Sequence, residues 1–151
     1  MLRFICYPKC STCQDAKALL DSYNAVYETR NIQTDNPSYD ELKALLESSG
    51  LKVRKLFNKS GSLYRSLKLK EKLPTMSEDE CLRLLATDGM LVKRPLLIGD
   101  HFTLVGFKPD AWMSVFTGHG QKMIDAVFVD FSSDMLQVVE SREGKGNFND
   151  I

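Results

Sequence analysis

Apolar and polar positions along this chain switch between two periods, and the switches mark out its elements. Leu2–Tyr7 is a short apolar run suited to a buried strand. From Ser11 onward, Ala16, Leu19, Leu20 and Tyr23 recur at helical spacing, with Gln14, Asp15, Lys17 and Asp21 between them. Ala25–Asn31 alternates Val26, Glu28 and Arg30 against Tyr27 and Thr29, which predicts a second strand. Asn36-Pro37 breaks the chain. Ser38-Tyr39-Asp40-Glu41 then has the spacing of a capping box, and Leu42, Leu45 and Leu46 supply an apolar stripe that stops at Gly50. Val53–Asn58 and Leu63–Leu67 read as short helices around the breaker Lys59-Ser60-Gly61. A second capping box, Ser77-Glu78-Asp79-Glu80, opens a helix carrying Leu82, Leu84 and Leu85 and ending at Asp88-Gly89.

Lys93-Arg94-Pro95-Leu96-Leu97-Ile98 predicts a strand entered through a proline, and Gly99-Asp100 turns it into Phe102–Val105 as a hairpin. Pro109 suits the first turn of a last helix, with Trp112, Val115 and Phe116 on its inner face. The order β-α-β-α, a helical stretch, then β-β-α is that of a thioredoxin-like α/β domain with a mixed four-stranded sheet. That domain would span residues 1–116, with the inserted helical region at about 51–89. Residues 117–151 form a C-terminal extension of unknown role; Ala126-Val127-Phe128-Val129 within it reads as a strand.

Composition narrows the class. At 151 residues, with 43% apolar and 26% charged positions, the chain fits a single globular domain with a sizeable core. A formal net charge of zero argues against a broad electrostatic grip on nucleic acid. No apolar run approaches the ~18 residues of a membrane span. The first apolar segment is too short and wrongly flanked for a signal peptide. With 4 cysteines and no export signal, the expected setting is the reducing cytoplasm, with thiols free or transiently oxidised.

The candidate chemistry lies in Tyr7-Pro8-Lys9-Cys10-Ser11-Thr12-Cys13. Two thiols three residues apart, between a strand pattern and a helix pattern, form a candidate redox pair. At a helix N-terminus, unpaired backbone N–H groups and the helix dipole favour the Cys10 thiolate. Cys13, one turn on, lies close enough to resolve a mixed disulfide. The alternatives are a zinc half-site, which needs about two further soft ligands and has no second Cys-x-x-Cys to supply them, or two ordinary buried cysteines. Cys6 and Cys81 fall in apolar patterns and read as buried small hydrophobes. His101 and His119 have no ligand-type neighbours. Lys68–Lys72 reads as a solvated face and Trp112 as a core anchor.

Four segments together carry a resemblance: Tyr7–Cys13, Leu56-Phe57-Asn58-Lys59-Ser60-Gly61, Leu85-Ala86-Thr87-Asp88-Gly89-Met90, and Lys93-Arg94-Pro95 followed by Val105-Gly106-Phe107-Lys108. On these the chain resembles the arsenate reductase-like family, which contains the ArsC and Spx proteins, from about Leu2 to Phe116. The resemblance implies a catalytic cysteine at Cys10, with Arg94 and Pro95 beside it and a cis peptide bond before Pro95. An arginine there stabilises the thiolate and offers a planar fork of donors to an oxyanion.

The departures matter equally. Arsenate reductases of this family surround the cysteine with three arginines. Here only Arg94 matches; Asn58 and Lys108 stand at the positions of the other two. Asn brings no charge and Lys no planar fork, so arsenate binding should be weak or the substrate different. Arg54, a turn upstream of Asn58, reads as a solvated charge. With Cys13 present, an internal dithiol/disulfide cycle replaces resolution by an outside thiol. Electrons would come from glutathione with glutaredoxin, or from thioredoxin, with no metal or bound organic cofactor. The paired cysteines also resemble Spx, a redox-responsive regulator that binds RNA polymerase. Docking on the α chain of the polymerase is therefore the alternative function. Neither nucleic acid nor membrane is expected as a direct partner.

Overall fold

β1 (Leu2–Cys6) is the interior strand on which the sheet is assembled. It pairs in parallel with β2 (Tyr27–Asn31) and antiparallel with β3 (Leu96–Ile98), which pairs antiparallel with β4 (Thr103–Val105). The order is β2-β1-β3-β4. Parallel neighbours need a crossover, and α1 (Ser11–Ser22) supplies it; β3 and β4 need only a hairpin, closed by the Gly99 N–H donating to the Phe102 carbonyl at 2.9 Å. This computed structural model describes residues 1–117 and, beyond them, the backbone of two short strands, Ile124–Ala126 and Val129–Asp130, which pair with each other. The rest of the C-terminal extension, including Val127 and Phe128, lies outside the described residues.

Alternation along β1 and β3 divides the core between two faces. Phe4, Cys6 and Leu97 point to one, where α1 contributes Cys13, Ala16 and Leu20, and α6 (Pro109–Thr117) contributes Trp112, Val115 and Phe116. Trp112 meets Phe4 and Phe107 edge-on, with centroids 6.0 and 5.3 Å apart, and its indole N–H donates to the Gly106 carbonyl at 3.0 Å. It is the core anchor its spacing predicted.

Ile5 and Leu96 point to the other face, which α2 (Tyr39–Ser49) covers with Leu42, Leu45 and Leu46. Ser38 and Glu41 form the expected capping box: the Ser38 hydroxyl accepts from the Glu41 N–H at 3.2 Å and the Glu41 carboxylate accepts from the Ser38 N–H at 2.9 Å. Gly50 ends the helix at φ 70°, a conformation with little cost only for glycine. The same core continues into the insertion: a 3-10 turn at Val53–Leu56, α3 (Ser62–Ser66), α4 (Leu69–Lys72), and α5 (Glu78–Leu85), which opens with the second capping box.

Several boundaries differ from expectation. β2 begins at Tyr27 rather than Ala25, leaving Val26 73% exposed. Val53–Asn58 is not one helix: after Leu56 the chain extends and Phe57 bridges antiparallel to Val92. That bridge buries Phe57 and Val92 completely, and tertiary pairing overrides the local pattern. α5 stops at Leu85, and Gly89–Leu91 forms a separate turn. Gly89 is required there, because a Cβ would meet the Ile32 carbonyl oxygen at 1.8 Å. Lys68–Lys72 is only partly a solvated face, since Leu69 within it is buried. Cys6 and Cys81 are buried as expected, and His101 is exposed.

Candidate active site

The chain leaves β1 through Tyr7-Pro8-Lys9 and turns once, with the Cys10 N–H donating to the Tyr7 carbonyl at 2.9 Å. The Cys10 carbonyl then accepts from the Gln14 N–H at 3.1 Å, which makes Cys10 the N-cap of α1. Gln14 ties the turn down through its side-chain amide, which donates to the Pro8 carbonyl at 3.0 Å. As a neutral thiol, Cys10 accepts no capping bond. Burial pushes its pKa up, but the Cys13 N–H, the Cys13 thiol, the Thr12 N–H and the Arg94 charge together outweigh that. The net result is a Cys10 thiol held below its ordinary range.

Cys13 is its opposite. It is 2% exposed, and burial pushes its pKa up to about 12, with the neighbouring Cys10 charge acting in the same direction. The Tyr7 N–H donates to the Cys13 sulfur at 3.3 Å and offsets only part of this. The two members of the pair are thus shifted in opposite directions, Cys10 toward the thiolate and Cys13 toward the thiol.

Arg94 arrives from the segment entering β3, which pairs antiparallel with β1. The Phe57–Val92 bridge is flanked by the Asn58 N–H donating to the Leu91 carbonyl at 2.8 Å and the Lys93 N–H donating to the Leu56 carbonyl at 2.7 Å. The insertion therefore grips the segment just before Arg94. The Arg94–Pro95 peptide is cis, and Pro95 is buried at the entry to β3. The guanidinium lies 5.4 Å over the Tyr7 ring, and its Nη1 donates to the Met90 and Val92 carbonyls at 3.2 and 3.3 Å.

Asn58 sits against this guanidinium. In the amide orientation that satisfies both ends, its oxygen accepts from Arg94 Nη1 and Nη2 at 3.2 Å, and its nitrogen donates to the Ser60 hydroxyl at 3.2 Å. The residue standing where an arginine was expected is thus turned inward, toward Arg94. Lys108 precedes α6, where its carbonyl accepts the Trp112 N–H at 3.1 Å. Its side chain is exposed, with no ion-pair or hydrogen-bond partner among the described residues. Arg54 is likewise exposed. Cys10, Cys13, Arg94 and Asn58 are linked by the contacts above, with Pro95 next to Arg94 in the chain; Lys108 is exposed at the start of α6.

Sequence reasoning gave Tyr7 no role of its own, yet it links the two halves of the site. Its backbone N–H holds Cys13 and its ring carries Arg94. The only available signal was its place between a strand end and a cysteine pair.

A thioredoxin-like sheet, a helix whose N-cap residue is the first cysteine of a Cys-x-x-Cys pair, and a cis-proline at the entry to β3 define a dithiol-bearing α/β protein of the thioredoxin-like class. Residues 6–115 match the model of the ArsC family, and the chain belongs to that family. It is 53% identical over 109 residues to the uncharacterized protein YusI of Bacillus subtilis, covering 72% of this chain and 92% of that one. The crystal structure of an ArsC family related protein from Bacteroides fragilis superposes with a TM-score of 0.74 at 54% identity, over 75% of this chain and 95% of that one. The global transcriptional regulator Spx of Streptococcus mutans is 24% identical over 110 residues, covering 73% of this chain and 79% of that one.

Proposed function

We propose that the chain is a thiol–disulfide redox protein in which Cys10 is the nucleophile, Cys13 the resolving thiol and Arg94 the cation that holds the thiolate and a bound oxyanion. The observation that carries this is the placement of the two thiols: Cys10 at the N-cap of α1, and Cys13 buried one turn on with the Tyr7 N–H on its sulfur, an arrangement that lowers the Cys10 pKa and raises that of Cys13. The Cys10 thiolate attacks the oxidised substrate, breaking a sulfur–sulfur or arsenic–oxygen bond and expelling a thiolate or hydroxide, and forms a covalent adduct. The Cys13 thiol, losing its proton to water, then attacks Cys10, forms the Cys10–Cys13 disulfide and expels the reduced product. Two electrons leave the pair, and an external thiol, glutathione with glutaredoxin or thioredoxin, returns them. The cytoplasm, where such reductants operate, is the matching compartment. Among the described residues, no helix is long and apolar enough to cross a membrane.

Arsenate turnover should be weak. Arg94 is the one planar fork at the site, and Asn58 already takes up two of its donors. Charge-assisted bonds of this kind are each worth roughly 1.5–3 kcal/mol, so two missing arginines cost orders of magnitude. The test is steady-state arsenate reduction with a glutathione–glutaredoxin or thioredoxin system, wild type beside Asn58→Arg/Lys108→Arg. We expect slow turnover in the wild type and partial recovery in the double variant. Wild-type rates equal to those of a three-arginine reductase would overturn the role given to these positions.

A second reading is favoured by the match to Spx. In it the disulfide is a switch, and the chain docks on the α chain of RNA polymerase without direct contact to nucleic acid. Pull-down with the isolated carboxy-terminal domain of that α chain, with this protein reduced and oxidised, separates the two. Redox-dependent capture supports the regulator, and none in either state leaves the oxidoreductase.

A further inference from the structure

Cys6 is a buried thiol that the dithiol cycle does not use, and it lies beside the pair. It is the last residue of β1, points to the same face as Cys13, and belongs to the same packed cluster, against which Cys10 also packs. The hydrogen bond from the Tyr7 N–H places the Cys13 sulfur 3.3 Å from the nitrogen of the peptide that Cys6 itself begins. The Cys13 sulfur therefore rests against the Cys6 backbone. Cys6 is 7% exposed and Cys13 2% exposed, so no outside thiol has ready access to either.

We propose that Cys6 is a third redox thiol, and that the oxidised chain carries its disulfide between Cys6 and Cys13, with Cys10 returned to the free thiolate. This rests on the dithiol reading and extends it by one exchange. After the Cys10–Cys13 bond has formed, the Cys6 thiol gives its proton to water and attacks the Cys13 sulfur. The Cys6–Cys13 bond forms, the Cys10–Cys13 bond breaks, and Cys10 leaves as thiolate. No oxidant or reductant is consumed. Attack falls on Cys13 because thiol exchange is fastest when the leaving sulfur is the more acidic one. Burial raises both Cys6 and Cys13, whereas the first turn of α1 stabilises charge on Cys10. Exchange thus moves the covalent bond onto the two sulfurs that ionise poorly and leaves the anion where donors await it. The consequence is a nucleophile that stays exposed in the oxidised protein, able to take a second substrate or to be recognised by a partner, while the stored disulfide is buried.

The sequence supplies a direct assay. Arg3, Lys9 and Lys17 are tryptic sites, so Cys6 falls in peptide 4–9 and Cys10 and Cys13 share peptide 10–17. The full chain is oxidised with less than one equivalent of oxidised glutathione, trapped with N-ethylmaleimide, digested without reduction and mapped by fragmentation mass spectrometry. The expected product is peptide 4–9 crosslinked to 10–17 through Cys13, with the maleimide on Cys10. A looped 10–17 peptide with the maleimide on Cys6 would overturn the proposal and leave the dithiol reading standing. A crosslink through Cys10 would overturn the relay; no intramolecular disulfide at all would remove both. In Cys6→Ala, oxidised Cys10 should be locked in the loop and alkylate at least about tenfold more slowly than in the oxidised wild type. Equal rates would count against the exchange.

Discussion

The α1/α6 face of the sheet and the α2 face are both sealed by helices, yet they treat ionisable groups in opposite ways. On the first, Cys6 and Cys13 are buried among Phe4, Leu97 and Trp112, and burial raises both thiols. At its rim Cys10 ionises most readily, helped by backbone N–H groups of an unfinished helix turn. On the second face, Arg30 and Glu41 meet in a bidentate pair, with Nη1 and Nη2 donating to the two carboxylate oxygens at 2.7 and 2.9 Å. Arg30 also donates to the carbonyls of Asp35 and Asn36 at 2.8 and 3.2 Å. That cation makes four hydrogen bonds and ties β2 to α2; Cys10 accepts no side-chain capping bond. Polar groups that are well paired specify structure, and those left partly paired are candidates for chemistry.

The sharpest way to break this contrast is to remove the reactive group. Cys10→Ser should abolish intramolecular disulfide formation and reduce reactivity toward small disulfides by orders of magnitude, because a serine hydroxyl does not ionise in the working range. Because Cys10 is only partly buried at a helix cap, and serine is a preferred cap residue, the melting temperature should be unchanged or slightly raised. Thiol counting and thermal unfolding check both halves. A substantial loss of stability would mean that the site is structural, like Arg30.

The converse variants act on the fold and leave the chemistry to follow. Trp112→Ala on the first face and Leu82→Ala on the second each empty a fully buried position and should cost about 3–5 and 2–5 kcal/mol in denaturant unfolding. Only the first should also alter Cys10 alkylation, because Trp112 and Cys13 share one cluster whereas Leu82 belongs to the other. Equal effects on alkylation would erase the distinction between the faces.

Arg94 is the element that crosses from one region to the other, and its loss sharpens the comparison at smaller amplitude. It assists the Cys10 thiolate less than the backbone donors of the first turn do. Arg94→Ala should therefore raise the Cys10 pKa only modestly and slow alkylation at neutral pH by a few-fold, with less effect at high pH. Arg54→Ala should do little. A pH series of alkylation rates decides; an Arg94→Ala profile matching a free cysteine would make Arg94, not the helix, the main source of activation.

Legibility in the sequence follows the same division. Elements with strong local signals, such as the strand Leu2–Cys6, both capping boxes, and the helix opened by Pro109, were predictable because a few adjacent residues fix them. So was the strand-to-helix placement of Cys10 and Cys13. The Phe57–Val92 bridge was not, since two residues 35 positions apart in the numbering pair only once the insertion has folded. With the bridge hidden, the inward orientation of Asn58 and the docking of Arg94 on Tyr7 were hidden too. The Arg30–Glu41 pair was concealed differently. Arg30 was legible as a strand position and Glu41 as a capping residue, but each local role gave no hint of the contact between them.

That pair also offers the mildest test. Hydrogen bonding to Arg30, above all, holds the Glu41 pKa at about 2. A carboxylate depressed on folding contributes stability that is complete above its unfolded value, near 4.5, and fades as pH falls toward the folded one. Its side chain is 41% exposed, so solvent screening reduces the contribution to roughly 1 kcal/mol. Glu41→Gln keeps an amide oxygen for the Ser38 N–H but removes the charge and the oxygen that accepts from Arg30 Nη1, which separates the ion pair from the capping box. Urea unfolding of both proteins should show the gap near pH 7 and its closure between about pH 4.5 and 2, with no change in Cys10 alkylation. A gap that persists unchanged at pH 2.5 would assign it to the helix cap, and altered alkylation would show that the two faces are coupled after all.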